Sequence, residues 1–438
     1  MITWHITTIA GPSDDFRASV TQGENELRVP FGISTDEDRI ESSVAKVLAM
    51  HRLDLRPAAE DLLNLAVAAY TGDLRIPRED GFGNWTRDLR LHAFVRNVDV
   101  WSAAAPLIEQ LLSFLTGDHW KIEFREAPET WTPVRLPPPK QAVTLTAKDV
   151  SLFSGGLDSY IGAIDVASQV QQVALVGHHS ADGGATSRSQ KKALVELRRF
   201  YDETRAPFLP MWISPPKGRN RASETTTRGR SVLFFALGIA VADALNADRL
   251  VVPENGFISL NVPLSPSRRG SFSTRTTHPH FVSLVRNVLS AIGINVAIEL
   301  PYRFRTKGEM MQQVANADAL AAGVPVTMSC AHPSAGRWAK QPNIHCGRCV
   351  PCIIRRAGVQ TAMNDPTPYN QIDLDVQLPG ESGSDLTVVR MTLDRYAKKQ
   401  PRLADILAAG PLPGTDAEKR DFLCVFTRGL DEIRALLG

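Results

Sequence analysis

The stretch that most constrains this chain is Val150-Ser151-Leu152-Phe153-Ser154-Gly155-Gly156-Leu157-Asp158-Ser159, where a short apolar strand runs into two glycines and a helix leaves on the far side. Gly155 and Gly156 let the backbone turn tightly and come close to a ligand, while Ser154 and Ser159 bring hydroxyls to a fresh helix N-terminus. Unpaired amides and the helix dipole at such a point favour an anion such as pyrophosphate. Asp158 is the oddity. A carboxylate facing phosphates needs a bridging cation such as Mg2+, or it holds the loop by accepting backbone N–H bonds. An ordinary strand-to-helix turn with a serine cap uses the same residue types, but the six-residue string after a strand is more specific than a bare G-G-x-D.

The chain around this stretch alternates strands with helices. Strands are expected at Val150–Phe153, Val173–Val176, Phe208–Ile213, Arg249–Val252 and Val296–Leu300, with helices near Leu157–Val170, Ser189–Tyr201, Gly229–Asn246 and Phe281–Ile292. That alternation predicts an α/β fold, a doubly wound and mainly parallel sheet with ligands at the carboxyl ends of its strands. Gly177-His178-His179 and Pro253-Glu254-Asn255-Gly256 should therefore converge with the glycine loop on one cleft. Between the third strand and its helix, Lys217, Arg219, Arg221, Arg228 and Arg230 stand against one acid, Glu224. A solvated loop accounts for the first three, whereas Arg230, at the head of the apolar helix, is placed to reach phosphate oxygens. The stretch from Leu264 to His280 reads as a loop over the cleft mouth, and its end, Thr277-His278-Pro279-His280, either faces substrate or merely starts the next helix. Thr306-Lys307-Gly308-Glu309 has the form of a capping box that opens a helix to Gly323. Lys307 opposes the dipole there unless an anion is near, which makes it a second candidate phosphate ligand.

A chain of 438 residues with 43% hydrophobic and 22% charged residues is expected to form two or three soluble globular domains. A formal net charge of +2 argues against a dedicated nucleic-acid binder. No secretory signal is evident at Met1–His5, and the longest apolar run, Val232–Ala242, is too short to span a bilayer, so a cytoplasmic location is expected. Residues 1–132 read as a separate α+β unit, a possible partner-binding domain, with strands at Ile2–Ile6, Leu89–Val95 and Trp120–Phe124. Helices are expected there at Arg39–Leu53, Ala58–Ala69 and Trp101–Leu115, with Trp85, Trp101 and Trp120 in the core. Residues 133–147 are a proline-rich linker, 148–364 the α/β domain, and 365–438 a helical extension without evident chemistry.

Of the five cysteines, Cys330, Cys346, Cys349 and Cys352 fall close together, which in a chain without an export signal reads as metal binding rather than disulfides. Four thiolates can close a tetrahedral Zn2+ shell. An iron–sulfur cluster or four unrelated thiols are the alternatives, and spacing alone does not exclude the cluster. His332 and His345 lie close enough to substitute as ligands, and Cys424 reads as a core residue of a C-terminal helix.

The glycine loop resembles the PP-loop signature of ATP-pyrophosphatases, which split ATP between the α and β phosphates and leave AMP on the substrate. The G-x-x-x-x-G-K-[ST] loop of γ-phosphate hydrolysers is not found. Together with Pro301–Glu309 and the cysteine-rich ending, the region from 148 to 360 is similar to the 7-cyano-7-deazaguanine synthase family, the QueC-like ligases. This resemblance implies a PP-loop/HUP-like (adenine nucleotide α hydrolase-like) fold that binds ATP, Mg2+ and structural zinc. It implies nucleotide contacts from Ser154, Gly155, Gly156, Leu157, Asp158 and Ser159, with Gly177 and His178 beside them. Catalytic roles fall to Asp158, Arg230 and Lys307, and zinc ligation to Cys330, Cys346, Cys349 and Cys352. Enzymes of the family activate a carboxylate as its adenylate, capture it with ammonia and carry the amide on to a nitrile.

There are departures. The gap after Cys330 is longer than in the housekeeping enzymes, the tyrosine-glycine-glutamine-arginine stretch is replaced by His178-His179-Ser180-Ala181, the deazaguanine-facing motif before Phe281 is not kept, and the N-terminal 140 residues are extra. These features look more like the QatC-type branch, the QueC-like component of the Qat anti-phage (antiviral) defence system. That likeness implies a 7-carboxy-7-deazaguanine-type carboxylate activated by ATP, with ammonia or an amine on a protein partner from the same defence operon as acceptor. A PP-loop enzyme modifying tRNA and a non-catalytic nucleotide-sensing scaffold are the competing expectations.

Overall fold

The computed structural model describes residues 2–32, 40–179, 184–215, 224, 228–264, 275–332, 344–376 and 385–438. The cations Lys217, Arg219 and Arg221, most of the loop after Leu264, and part of the connection from 365 to 391 lie outside the described residues.

The N-terminal part runs β1 (Thr3–Ala10), β2 (Asn25–Phe31), β3 (Glu41–Ser42), α1 (Val44–Met50), α2 (Pro57–Arg75), β4 (Asp88–Val95), α3 (Val98–Thr116) and β5 (His119–Glu126). Four of these strands form a sheet in the order β2-β1-β4-β5, with every pairing parallel. The unit is therefore α/β rather than the expected α+β. The physical reason is connectivity: α2 and α3 each carry the chain back across the sheet, and a helical crossover returns the next strand in the same direction. Ile6, Val29, Leu91 and Trp120 are buried on the face that these helices cover. β2 escaped the sequence reading because Asn25-Glu26-Leu27-Arg28 is a polar edge strand.

The second part supplies β6 (Asp149–Leu152), α4 (Leu157–Gln169), β7 (Val173–His179), α5 (Ala185–Leu197), β8 (Phe208–Ser214), α6 (Arg230–Ala244), β9 (Arg249–Val251), α7 (Gly256–Ser259), α8 (Pro279–Ala291) and β10 (Ala297–Glu299). The sheet order is β10-β9-β6-β7-β8-β3, and all pairings are parallel except the last. The chain thus enters at the middle strand, β6, builds outward through β7 and β8, then crosses back to build β9 and β10. Loops after β6 and β9 leave in opposite directions, and the crevice between them is the topological switch point where ligands of such sheets bind.

The two parts are not separable units. The edge strand β3 comes from the N-terminal part, pairing Glu41 with Ser214 and Ser42 with Ile213. Helix α2 packs along α6, α3 packs on β5 and α8, and one buried apolar cluster runs through both parts. This explains why α6, read as the longest apolar run, is buried almost all round: the sheet covers one side and α2 the other. Helix α3 is long and apolar enough to cross a membrane by length and composition alone, but Trp101, Ile108, Leu112 and Leu115 are buried within that shared cluster.

The chain ends with α9 (Lys307–Gln312), α10 (Ala317–Gly323), α11 (Val350–Ala362), α12 (Asp385–Lys398), α13 (Leu403–Leu407) and α14 (Asp416–Leu437). The single helix expected from Thr306 to Gly323 is broken because Asn316 caps a new helix, its side chain accepting from Ala319 N at 3.0 Å. Cys424 is exposed, not a core residue. Phe422, Val425, Phe426, Leu430 and Ile433 set the buried stripe of α14, and position 424 falls off it.

Removal of residues 2–132 should uncover the apolar flanks of α6 and α8. A fragment spanning 133–438 is expected to bind a hydrophobic dye and to aggregate on expression; a monomeric fragment that unfolds cooperatively would contradict the shared core.

Candidate functional site

The sequence-assigned residues meet in a cavity of ≈ 480 Å³ at the switch point. Ser154, Gly156, Leu157, Asp158 and Ser159 line it from the β6–α4 turn, His178 from β7, Arg230 and Phe234 from α6, Glu254 from the loop after β9, and Lys307 from α9. Gly155 and Gly177 lie behind the wall. Gly155 has φ +83°, and a Cβ there would stand 2.8 Å from Gln190 N, so only glycine makes this turn. Ser154 Oγ accepts from Gly156 N at 3.3 Å and donates to Ser159 Oγ at 3.1 Å, which folds the loop on itself. The N-cap of α4 is Gly156, which makes no side-chain cap bond, so the first-turn amides lack the oxygen that a capping residue would offer and suit an anion.

Asp158 is the electrostatic centre. One carboxylate oxygen is ion-paired with Lys307 Nζ, and the other accepts from Asn255 Nδ2 at 2.7 Å and from Asn255 N at 3.3 Å. Burial raises the Asp158 pKa, but the Lys307 ammonium and the hydrogen bonds from Lys307 and Asn255 outweigh it and hold the group below its ordinary value. Glu254 behaves oppositely. Burial, then the charge of Asp158, push it up to about 8, so it keeps its proton near neutrality. Lys307 opposes the dipole of α9 as the sequence suggests, and the anions that compensate it include the protein's own Asp158, with Glu432 of α14 accepting from Gly308 N at 3.4 Å beside it.

Arg230 Nη2 donates to His178 O at 3.2 Å and its Nε to His178 Nδ1 at 3.4 Å. The imidazole is held well below its ordinary pKa, at about 3, by burial and then by the Arg230 charge, and stays neutral. His179 is a buried strand residue that does not line the cavity. Thr277 lines it, but His278 and His280 turn away to pack on Phe114 of α3, with ring centroids 5.2 and 4.8 Å apart. These two histidines start α8 and fill the joint with the N-terminal part. Trp101 and Trp120 are core residues as expected, whereas Trp85 is half-buried between the guanidiniums of Arg78 and Arg228, 4.6 and 4.9 Å from its ring centre.

Sequence reading missed Gln190, which donates to Phe153 O at 3.2 Å and His178 O at 3.3 Å behind the loop. It also missed Phe234, Met328 and Ser329 of the wall. Single residues such as Gln190 and Phe234 within helices, or Met328 and Ser329 in the irregular stretch after α10, carry no pattern that would mark them.

The four sulfurs of Cys330, Cys346, Cys349 and Cys352 lie within 4.8 Å of one another, and Cys330–Cys349 and Cys346–Cys352 are each 3.8 Å apart. A tetrahedral ion with metal–sulfur bonds of about 2.3 Å requires sulfur separations of about 3.8 Å. The set therefore has the chemistry and the geometry to hold zinc. Backbone amides support it: Cys346 N and Cys349 N donate to Cys330 and Cys346 sulfurs, each at 3.3 Å. His345 instead accepts from Ser329 N at 3.2 Å. The cysteine arm reaches the glycine loop, since Met328 N donates to Gly155 O at 2.9 Å and Pro351 lines the cavity.

No protein-family model matches the chain, and no curated protein matches it.

Two outcomes follow from this geometry. Purified protein should carry about one zinc per chain by elemental analysis; stripping it with a chelator should lower the thermal midpoint, whereas iron in its place would overturn the zinc assignment. A carboxyl whose folded pKa is raised contributes stability that is complete below its unfolded value and lost as pH rises through the folded one. For Glu254 that window runs from 4.5 to about 8. The Glu254→Gln variant should therefore gain thermal midpoint relative to the parent from pH 5 to pH 8.5, and a gap that stays constant would contradict the raised pKa.

Proposed function

We propose that this cavity binds ATP and activates a carboxylate by adenylation, with pyrophosphate leaving. The observation that carries the reading is the convergence, at the switch point of a doubly wound sheet, of an uncapped glycine-rich helix start with Arg230 and Lys307. Backbone amides and two cations gathered around an uncapped helix N-terminus suit a group that accumulates negative charge as it departs. Of the two carboxyl groups lining the cavity, Asp158 is already shared between Lys307 and Asn255 and Glu254 keeps its proton, so Mg2+ would arrive on the nucleotide phosphates. When bound, the ion would offset charge on those phosphates.

The chain's own groups would divide the work. The first-turn amides of α4 and the Ser154 and Ser159 hydroxyls cradle the phosphates. Arg230 and Lys307 offset charge on the pyrophosphate side, and Asp158 keeps Lys307 aimed into the cavity. Phe234, Ile258 and Val252 offer apolar wall to a flat heterocycle. Together with the QueC-like and QatC-type resemblance, this composition favours a 7-carboxy-7-deazaguanine-type substrate in a defence system. In balanced form, a carboxylate oxygen attacks the α-phosphorus, the bond to the bridging oxygen of pyrophosphate breaks, and an amine then displaces AMP to form an amide.

With 7-carboxy-7-deazaguanine, ATP and Mg2+, labelled pyrophosphate should exchange into ATP, and Asp158→Ala should abolish exchange while circular dichroism stays unchanged. Exchange absent from the parent protein, with operon partners supplied, would overturn the proposal.

A further inference from the structure

Asp73 stands at the C-terminal end of α2, in the N-terminal part of the chain, and is 0% exposed. One of its oxygens accepts from Arg87 Nη2 at 2.7 Å and Arg78 Nη2 at 3.1 Å. The other accepts from the backbone N–H of Gly229 at 2.7 Å. Gly229 is the residue before α6, and Arg230 is the first residue of that helix. On the near side of Gly229, Arg228 Nη1 donates to Thr116 O at 3.1 Å. The N-terminal part therefore holds Arg228 and Gly229, while Arg230 bonds to His178 and lines the cavity.

The grip is close. A Cβ on Gly229 would come within 3.0 Å of Asp73 Cβ and 3.2 Å of Tyr70 Cα, so the start of α6 is seated directly on α2. At the far end of the same helix pair, Arg56 Nη1 donates to Asp243 at 3.1 Å. Helix α6 is thus fastened to α2 at both ends, and its first turn cannot shift without breaking a buried charge-assisted hydrogen bond. A long side chain amplifies any change at its root, and small misplacements of a phosphate-binding group are costly to its action.

We infer that Asp73 is a positioning residue for the cavity: through the Gly229 N–H it fixes the first turn of α6 and hence the aim of Arg230, which makes the N-terminal part a component of the site. This rests on the ATP reading above. It also gives an event on the N-terminal part a physical route to the nucleotide.

The test is a double-mutant cycle on the full chain, read by calorimetric titration with ATP and Mg2+. Arg230→Gln and Asp73→Asn are each expected to weaken ATP about tenfold, and the double variant to bind no more weakly than Arg230→Gln alone. Asp118→Asn is the structural control, because Asp118 shares Arg78 and Arg87 with Asp73 but does not touch Gly229. It should lower the thermal midpoint and leave ATP affinity within about twofold. If Asp73→Asn fails to fold, Gly229→Ala presses on the same joint while keeping every charge of the ion cluster, and should show the same non-additivity with Arg230→Gln. Additive losses, or an Asp118→Asn loss as large as that of Asp73→Asn, would overturn the inference while the ATP reading stands. Failure of the parent protein to bind ATP would overturn both.

Discussion

The site depends on the buried ion pair between Asp158 and Lys307. The two residues stand in the first turns of α4 and α9, far apart in the chain, and Asn255 from the loop after β9 completes the contact. Bringing a carboxylate and an ammonium out of water is expensive, and only their mutual attraction plus further hydrogen bonds offset it. Removing one partner of such a pair costs about 3–5 kcal/mol. The pair therefore locks the three segments that frame the cavity into one arrangement. It also answers two oddities of the sequence together, a carboxylate at a glycine-rich helix start and a lysine against its own helix dipole.

Around this centre, each flanking part of the chain steadies one cation. The N-terminal part holds the root of Arg230 through Asp73 and Gly229. The C-terminal helix α14 does the same for Lys307: Glu432 is bonded to Thr306 and Gly308, and Arg428 Nη2 donates to the capping residue Glu309 at 3.2 Å. The cysteine arm supports the third member, the glycine loop, through Met328 and Gly155. Segments that read as an appendage, a metal clip and a tail without chemistry thus brace the segments that carry the cavity wall.

How much of this was legible follows from where the information lies. The strand Val173–His179 is buried throughout, and its apolar first half, Val173–Val176, is what reveals it in the sequence; strand–helix alternation then gives the parallel sheet and its switch point. The glycine loop, Arg230 and Lys307 were visible because their residue types conflict with a bland role at a helix start. Asp73 had no such mark: an aspartate near the end of an amphipathic helix is unremarkable until Gly229, 156 positions away, is seen to touch it. For His278 and His280 the sequence leaves a substrate-facing role and a plain helix start both open, because nothing local shows that Phe114 covers them. Asn255 was legible only by position, as part of a loop after a strand.

The account's central claim is that a carboxylate attacks the α-phosphorus of ATP in this cavity. The most direct measurement follows oxygen. With a deazapurine carboxylate labelled with oxygen-18 and an amine acceptor, attack through the carboxylate must leave one labelled oxygen on the phosphorus of AMP, visible by mass spectrometry. Labelled AMP together with unlabelled pyrophosphate is the predicted result. Unlabelled AMP, or ADP and phosphate as the products, would contradict it.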